Sequence, residues 1–279
     1  MHETLSLNAF TAIDETGQAA AYIAALEAFD GIDQLQELKR LEREMVRPGS
    51  AILDVGCGFG LETVPLARRA GKGGTVCGID RSEAFIAEAR RRATAQGLPI
   101  DYRVGDAAGL PYADHSFDHV RAERLLIYFD DVERVLAGMR RVLRAGGVMA
   151  LIEPEFCTTT VNVSNRALVR RVMAHEVETA VAQSWLPGRL AAMLRDLGFA
   201  DIAIASRVVV FPQQLAADYC LGAAAKAAEA GAISESELAA WTVEIRGLLE
   251  GGRLFASEGY FLFTGRQGPL RSGGTAASA

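Results

Sequence analysis

The sequence predicts an α/β protein: a mostly parallel sheet of about seven strands with helices on both faces, a helical lid before it and a helical cap added to it. Three observations carry this. Between Ser50 and Glu153, short runs rich in β-forming residues alternate with helical stretches, the pattern of βαβ units whose sheet is covered on both sides. One strand-to-helix turn in that region is glycine-rich, Gly56-Cys57-Gly58-Phe59-Gly60. Outside the region, apolar residues recur mostly at helical spacing.

The first 48 residues read as helical. Tyr22, Ile23, Leu26 and Phe29 form one apolar stripe, and Leu35, Leu38 and Met45 form another after Asp30-Gly31. Pro48-Gly49 closes the segment. The first stripe has no evident place in a sheet core, so residues 1–48 are expected to form a lid over the site or over a neighbouring subunit. The strands then fall at Ala51–Val55, Thr75–Ile79, Ile100–Val104, Asp118–Glu123 and Val148–Glu153. Between them lie helices at Leu61–Ala70, Glu83–Gln96 and Asp131–Leu143, the last ending at Gly146-Gly147.

After the fifth strand, helices are expected at Asn165–Ser184 and at Pro187–Leu197, where proline opens the helix and Gly198 ends it. Ile202–Phe211 reads as a strand, Leu215–Ala230 and Glu235–Glu250 as helices, and Gly259–Gly265 as the last strand. The main domain is thus placed at 49–272, with cap insertions at about 156–186 and 213–250. Residues 273–279 (GGTAASA) read as a disordered tail.

Composition narrows the function. Of 279 residues, 50% are hydrophobic and 23% charged, which is ordinary globular usage. The net charge of −6 lacks the basic footprint of a nucleic-acid binder. No apolar run approaches the ~20 residues that span a bilayer, and the N-terminus lacks a basic segment followed by an apolar one. The four cysteines are dispersed without a CxxC pair. That speaks against a disulfide framework or a structural zinc site and for a reducing, cytoplasmic setting. No residue pattern requires a metal.

The sharpest signal is Ile52-Leu53-Asp54-Val55-Gly56-Cys57-Gly58-Phe59-Gly60. The glycines permit a tight turn and a close backbone approach to a ligand. Asp80, at the end of the next strand, stands about 20 positions further on, where a carboxylate suits the two hydroxyls of a ribose. A nicotinamide dinucleotide is the first rival. Its folds usually space the glycines as GxGxxG to seat a pyrophosphate. Here the spacing is GxGxG, and Asp54 before it would repel a pyrophosphate and suit a ligand carrying an ammonium group.

The chain resembles the class I S-adenosylmethionine-dependent methyltransferases, and among them the small-molecule enzymes of the ubiquinone and menaquinone biosynthesis type. The resemblance rests on DVGCGFG (54–60), GID (78–80), GDAAGLPYADHSFDHV (105–120) and RRVLRAGGVMALIEPE (140–155), four blocks in the family's order. It implies a Rossmann-like fold and S-adenosylmethionine as cofactor. It places Asp54 and the Gly56, Gly58 and Gly60 backbone at the methionine part of the cofactor, Asp80 on the ribose hydroxyls and Arg81 against the adenine. Asp106 would accept a hydrogen bond from the adenine amino group, Ala107 would pair with the ring by its backbone, and the end of the fourth strand, Glu123-Arg124, would pass the methionine end. Helix capping competes with the ligand role for Asp80, and less so for Asp106.

Related enzymes often carry a histidine shortly after the fourth strand, and here Tyr128 stands in its place. Tyr128 is therefore a candidate for orienting the acceptor. A second candidate is Glu176, which falls inside the apolar stripe Val169, Val172, Met173, Val177 and Ala180. Such a carboxylate is costly to bury unless paired. Either Arg171 or Arg189 is its partner, or it lines a pocket and can take part in proton transfer. His175, at the edge of that stripe, is a further base candidate, and His115 and His119 lie far from the carboxyl end of their strand. Tyr22 is expected near the methionine end of the cofactor, under the lid.

Tyr128, Trp185, Tyr219 and Trp241 suggest a hydrophobic or aromatic acceptor. The sequence thus predicts methyl transfer to a small metabolite, in natural-product biosynthesis, with no nucleic acid or membrane as partner and a homo-oligomer as one use of the N-terminal stripe. The alternative is a protein of the same fold that binds S-adenosylmethionine without methylating, as a scaffold or a rearrangement catalyst.

Overall fold

The computed structural model describes residues 13–268. The expected tail at 273–279 and the first 12 residues of the expected lid lie outside that range. The seven strands are β1 (Ala51–Val55), β2 (Thr75–Asp80), β3 (Ile100–Val104), β4 (Phe117–Glu123), β5 (Leu143–Val161), β6 (Phe199–Val210) and β7 (Ala256–Gln267). They form one sheet in the order β3-β2-β1-β4-β5-β7-β6. The first five are mutually parallel, and β7 runs antiparallel between β5 and β6. The strand order reverses between β1 and β4, which opens a crevice at their carboxyl ends.

The helices are α1 (Ile13–Thr16), α2 (Ala19–Asp30), α3 (Asp33–Met45), α4 (Thr63–Ala70), α5 (Glu83–Ala95), α6 (Val132–Val142), α7 (Arg166–Thr179), α8 (Pro187–Asp196), α9 (Gln213–Glu229) and α10 (Glu235–Glu250). Every residue of β1 is buried, as a strand covered on both faces must be. Its side chains alternate between faces. Leu53 and Val55 pack with Val135, Leu136 and Met139 of α6 and with Leu190 and Leu194 of α8. Ile52 packs on the opposite face with Leu66 and Ala70 of α4.

Three elements differ from the sequence reading. The expected lid divides: α2 leaves the sheet, but α3 covers it, with Leu35 and Leu38 fully buried against Ala150, Ile152 and Leu262. β5 is far longer than Val148–Glu153. Its pairing with β4 shifts between Phe117 and His119, and that irregularity absorbs the residues up to Gly147 that read as a stop. A second irregularity, between Glu155 and Thr160 against β7, bends the strand and carries it on to Val161. α7 ends at Thr179, short of Ser184, and begins where the Asn165 side chain accepts the Leu168 N–H at 3.1 Å.

The cap is built from α7, α9 and α10. α9 offers a face of small residues, Ala216, Ala217, Ala223, Ala224 and Ala227, against which Trp241 of α10 is fully buried. The indole N–H of Trp241 donates to the Cys220 carbonyl at 2.9 Å. These residues share one apolar cluster with Ile152 of β5, Leu262 of β7 and Leu35 of α3. The four cysteines are free thiols, and no described helix is long and apolar enough to cross a membrane.

Trp241→Phe removes the donor, leaves the Cys220 carbonyl without it and opens a void. The expected loss in unfolding free energy is about 1–3 kcal/mol, read by urea denaturation; an unchanged midpoint would show that the cap does not depend on this contact.

Candidate functional site

A cavity of about 1150 Å³ lies at the carboxyl ends of β1, β2 and β4, beneath α2 and beside α7 and α9. That exceeds the roughly 300–1,000 Å³ of a single small-molecule pocket, so it has room for two.

The glycine loop forms one wall. The Gly56 and Cys57 N–H groups donate to the Ile79 carbonyl at 2.8 and 3.1 Å, tying the loop to β2. Gly56 has φ +70°, and a Cβ there would meet Leu125 at 2.6 Å. Gly58 differs, because a Cβ on it would meet nothing closer than Phe85 at 3.9 Å. It faces the cavity, and its N–H donates to Oδ2 of Asp80 at 2.9 Å. Gly60 is not on the cavity wall as expected: a Cβ on it would run into the Tyr102 hydroxyl, so its absence serves packing between β3 and the loop.

Asp80 and Asp106 exchange the roles that capping suggested. The cap of α5 is Ser82, whose Oγ accepts the Phe85 N–H at 3.1 Å. Asp80 stands before it, accepting the Ser82 N–H at 2.9 Å, and lines the cavity. Burial raises its pKa, and its hydrogen bonds from Ser82 and Gly58 oppose that. Asp106 is itself a cap, of the short 3-10 turn Ala107–Gly109, and its Oδ1 accepts the Ala108 N–H at 2.9 Å. Asp106, Ala107 and Arg81 also line the cavity.

Beneath the loop lies a buried charge network. The Arg121 guanidinium, in the middle of β4, donates to Glu42 at 2.8 Å, to Asp54 at 2.9 Å and to Glu123 at 2.9 Å. The second oxygen of Asp54 accepts the Thr63 hydroxyl at 2.6 Å. Lys39 of α3 reaches Asp30, and Glu123 at 2.9 Å. His119 lies 3.1 Å from Glu42. Burial alone would raise the Glu123 carboxyl, but Lys39 and Arg121 beside it hold it well below the usual range. Burial pushes Glu62 up to about 8. Both oxygens of Asp54 are thus engaged within the protein, while the residue also lines the cavity.

α2 covers the cavity with Gln18, Ala21, Ala25, Leu26 and Phe29. Tyr22 is not on that wall: it is 2% exposed and packs with Ile13, Phe59 and Phe85. Because Leu26 and Phe29 close the chain's own cavity, the stripe gives no ground for a neighbouring subunit. Arg124, at φ +48°, sets its guanidinium 4.8 Å from the centre of the Phe29 ring and ties lid to floor. Tyr128 lines the cavity from a 3-10 turn, Leu126–Tyr128. That turn is held by Glu153, whose Oε1 accepts the Leu125 and Leu126 N–H groups at 3.1 and 2.8 Å.

At the cap end, Glu176 is 2% exposed and lines the cavity. Its expected partners are committed elsewhere, Arg171 to Glu237 and Arg189 to Glu133. Instead Lys226 of α9 stands 3.9 Å from Oε1. His175 does not line the cavity. Glu258 does; it is fully buried, accepts the Thr159 hydroxyl at 2.8 Å, and burial pushes it up to about 7. Of the four aromatic residues read as acceptor-facing, Tyr128 and Tyr219 reach the wall, while Trp241 is core and Trp185 is 60% exposed.

The reading from sequence missed Lys39, Arg121, Glu258 and Tyr260, all on the cavity wall. A signal existed for two of them. Arg121 interrupts an otherwise buried strand, and Lys39 sits beside Leu35 and Leu38 on the face that α3 buries.

Residues 53–151 match the family model described as a methyltransferase domain. The chain is 36% identical over 135 residues to the nocamycin O-methyltransferase of Saccharothrix syringae, covering 47% of this chain and 48% of that protein. It is 35% identical over 123 residues to the ubiquinone/menaquinone biosynthesis C-methyltransferase UbiE of Bordetella avium, covering 44% and 48%. The chain therefore spans about half the length of these curated relatives. Among solved structures, the [4+2]-cyclase SpnF has the same fold at a TM-score of 0.51 and 23% identity, over 84% of this chain and 81% of that one. The sheet order and the likeness to this structure thus define a Rossmann-like fold class. Within that class, the segment 53–151 is a methyltransferase domain, and the resemblance drawn from the four sequence blocks stands.

Two predictions follow from this geometry. Arg121→Met leaves Glu42, Asp54 and Glu123 without their shared cation, and breaking a buried pair in this way costs about 3–5 kcal/mol; chemical denaturation checks it, and a loss below about 1 kcal/mol would refute the network's structural role. Burial raises Glu153 to about 8 in the fold. The unfolded chain therefore releases this proton at lower pH than the folded one, and stability falls as pH rises from about 5 to about 8, by up to about 1.4 kcal/mol per pH unit from this group. Glu153→Gln keeps the acceptor for both N–H groups, so thermal melts across that window should show a flatter decline than the wild type.

Proposed function

We propose that the chain binds S-adenosylmethionine and transfers its methyl group to a small, largely apolar metabolite in a natural-product pathway. The observation that carries this is the pairing of Asp80 with Gly58. A half-buried carboxylate and an open glycine meet on the wall of one cavity, within a segment that is a methyltransferase domain. The residues fit the cofactor. Asp80 offers a carboxylate for vicinal hydroxyls, Asp106 and Ala107 flank the adjoining wall with Arg81, and Gly58 leaves space for close backbone approach. Glu123 and the backbone of the glycine loop stand at the methionine side. With Asp54 engaged by Arg121 and Thr63, its part is to fix the loop rather than to pair with an ammonium.

The bound cofactor supplies an electrophilic methyl group on a sulfonium. The protein's part is placement, because in-line displacement gains most of its acceleration from orientation. Phe29, Phe156 and Phe211 line the cavity and would exclude water and hold an apolar body. Tyr128, whose hydroxyl burial keeps protonated, would donate a hydrogen bond to the acceptor rather than serve as base. A cytoplasmic setting suits four free thiols.

A second reading keeps the same binding without transfer, favoured by the shared fold of a cyclase. Turnover of isotope-labelled cofactor against metabolite extracts separates the two. The binding itself is tested by calorimetric titration with S-adenosylhomocysteine, with NAD as control. Asp80→Ala removes a charged hydrogen-bond acceptor, and affinity should fall about tenfold or more. Binding of NAD instead, or an unchanged affinity in the variant, would overturn the placement.

A further inference from the structure

The cavity's far end has a character that the cofactor does not use. Glu155 of β5 pairs with Gly259 of β7, while Glu123 at the end of β4 pairs with Ile152. Glu258 therefore stands more than three strand positions, roughly 10 Å, beyond the carboxyl end of β4. It is placed there by the irregularity in β5, whose Thr159 hydroxyl it accepts. Glu176 of α7 faces the same space, and its Oε2 is buried without a hydrogen-bond partner. Asp218, at the surface of α9, lines the same end. Against these three carboxylates stands one ammonium, Lys226, 3.9 Å from the other oxygen of Glu176. Tyr219 and Tyr260 complete the wall.

Two carboxylates at low exposure with one weak countercharge make an unfavourable arrangement in an empty apolar setting. A cationic ligand turns that cost into binding, since charge-assisted hydrogen bonds are shorter and stronger than neutral ones. A neutral or anionic group gains less there or is repelled. The walls leading to this end, from Phe156, Phe211 and Leu215, are apolar.

We propose that this end is a cation subsite: Glu176 and Glu258 hold a protonated amine of the acceptor, and Phe156, Phe211 and Leu215 hold its apolar body. The assignment of this ligand as methyl acceptor rests on the transfer reading; the subsite itself does not. The amine is an anchor at the far end, set apart from the atom that faces the glycine loop. The acceptor class is thus an apolar metabolite bearing a basic nitrogen at the end remote from its reacting group.

The test uses 4-phenylbutylamine, its neutral isostere 4-phenylbutan-1-ol and the anion 5-phenylpentanoate, titrated calorimetrically at neutral pH into the whole protein. Each titration is run with and without saturating S-adenosylhomocysteine. The amine should bind about tenfold more tightly than the alcohol, and the anion should bind most weakly. Glu176→Gln and Glu258→Gln keep the shape and remove the charge. Each should weaken amine binding severalfold and leave the alcohol unaffected, and the double variant should lose the preference. Equal binding of amine and alcohol by the wild type overturns the proposal even if no variant folds. So does an amine preference that survives in the double variant. Amine preference without any binding of S-adenosylhomocysteine keeps the subsite and sinks the transfer reading; the converse sinks the subsite alone.

Discussion

The guanidinium of Arg121 is the tie on which the site's architecture depends. It sits in the interior of the sheet, where an isolated charge is untenable, and three carboxylates, from α3, β1 and its own strand, converge on it. Glu42 brings α3, Asp54 brings β1 and Glu123 brings the end of β4. Lys39 adds a second cation to Glu123 and reaches Asp30 at the end of α2. Substituting hydrophobic residues for such a cluster is often neutral or favourable for stability. Its use here is geometric: it sets the glycine loop, the end of β4 and the base of the lid relative to one another.

From that tie the rest follows outward. Asp54, held by Arg121 and Thr63, fixes the exit of β1, so the loop leaves the strand in one direction. Gly56 lets Leu125 approach the loop, and Gly60 lets Tyr102 do so from α5's side of the sheet. Gly56 and Gly58 both reach the cavity wall, and of the two only Gly58 has open space where a Cβ would stand. The strand beyond β4 is then turned by Arg124 in a left-handed conformation and held by Glu153 beneath it. The loop and the turn carrying Tyr128 are thereby placed by polar groups paired within the protein.

Much of this was legible in the sequence, and the limits have physical causes. Strands β1 and β3 and helix α10 were readable to the residue, because β-branched runs and the Ser234 capping box mark their ends locally. Asp80 and the glycine loop were legible because backbone approach to a ligand requires glycine at fixed positions. The course of β5 was not, since its two irregularities depend on pairing with β4 and β7, which lie far away in sequence. Glu258 was missed for the same reason: it reads as the residue before a strand and becomes a cavity wall only through the bend in β5. Asp54 shows a further limit. Its spacing suggested a ligand contact, and it lines the cavity, but its partner 67 positions away was not legible.

The cap shares its apolar cluster with α3, β5 and β7, and that has a consequence for how the molecule comes apart. A segment with its own core could open and close as a hinged body while the sheet stayed intact. Here the small-residue face of α9 and the indole of Trp241 are continuous with the floor, so cap and sheet constitute a single cooperative unit. Most apolar contacts of α1 and α2 form a separate small cluster, and only Phe29 joins them to the larger one, which is the arrangement expected of an element of low local stability. An opening confined to that edge would expose the cavity while the far wall kept its shape.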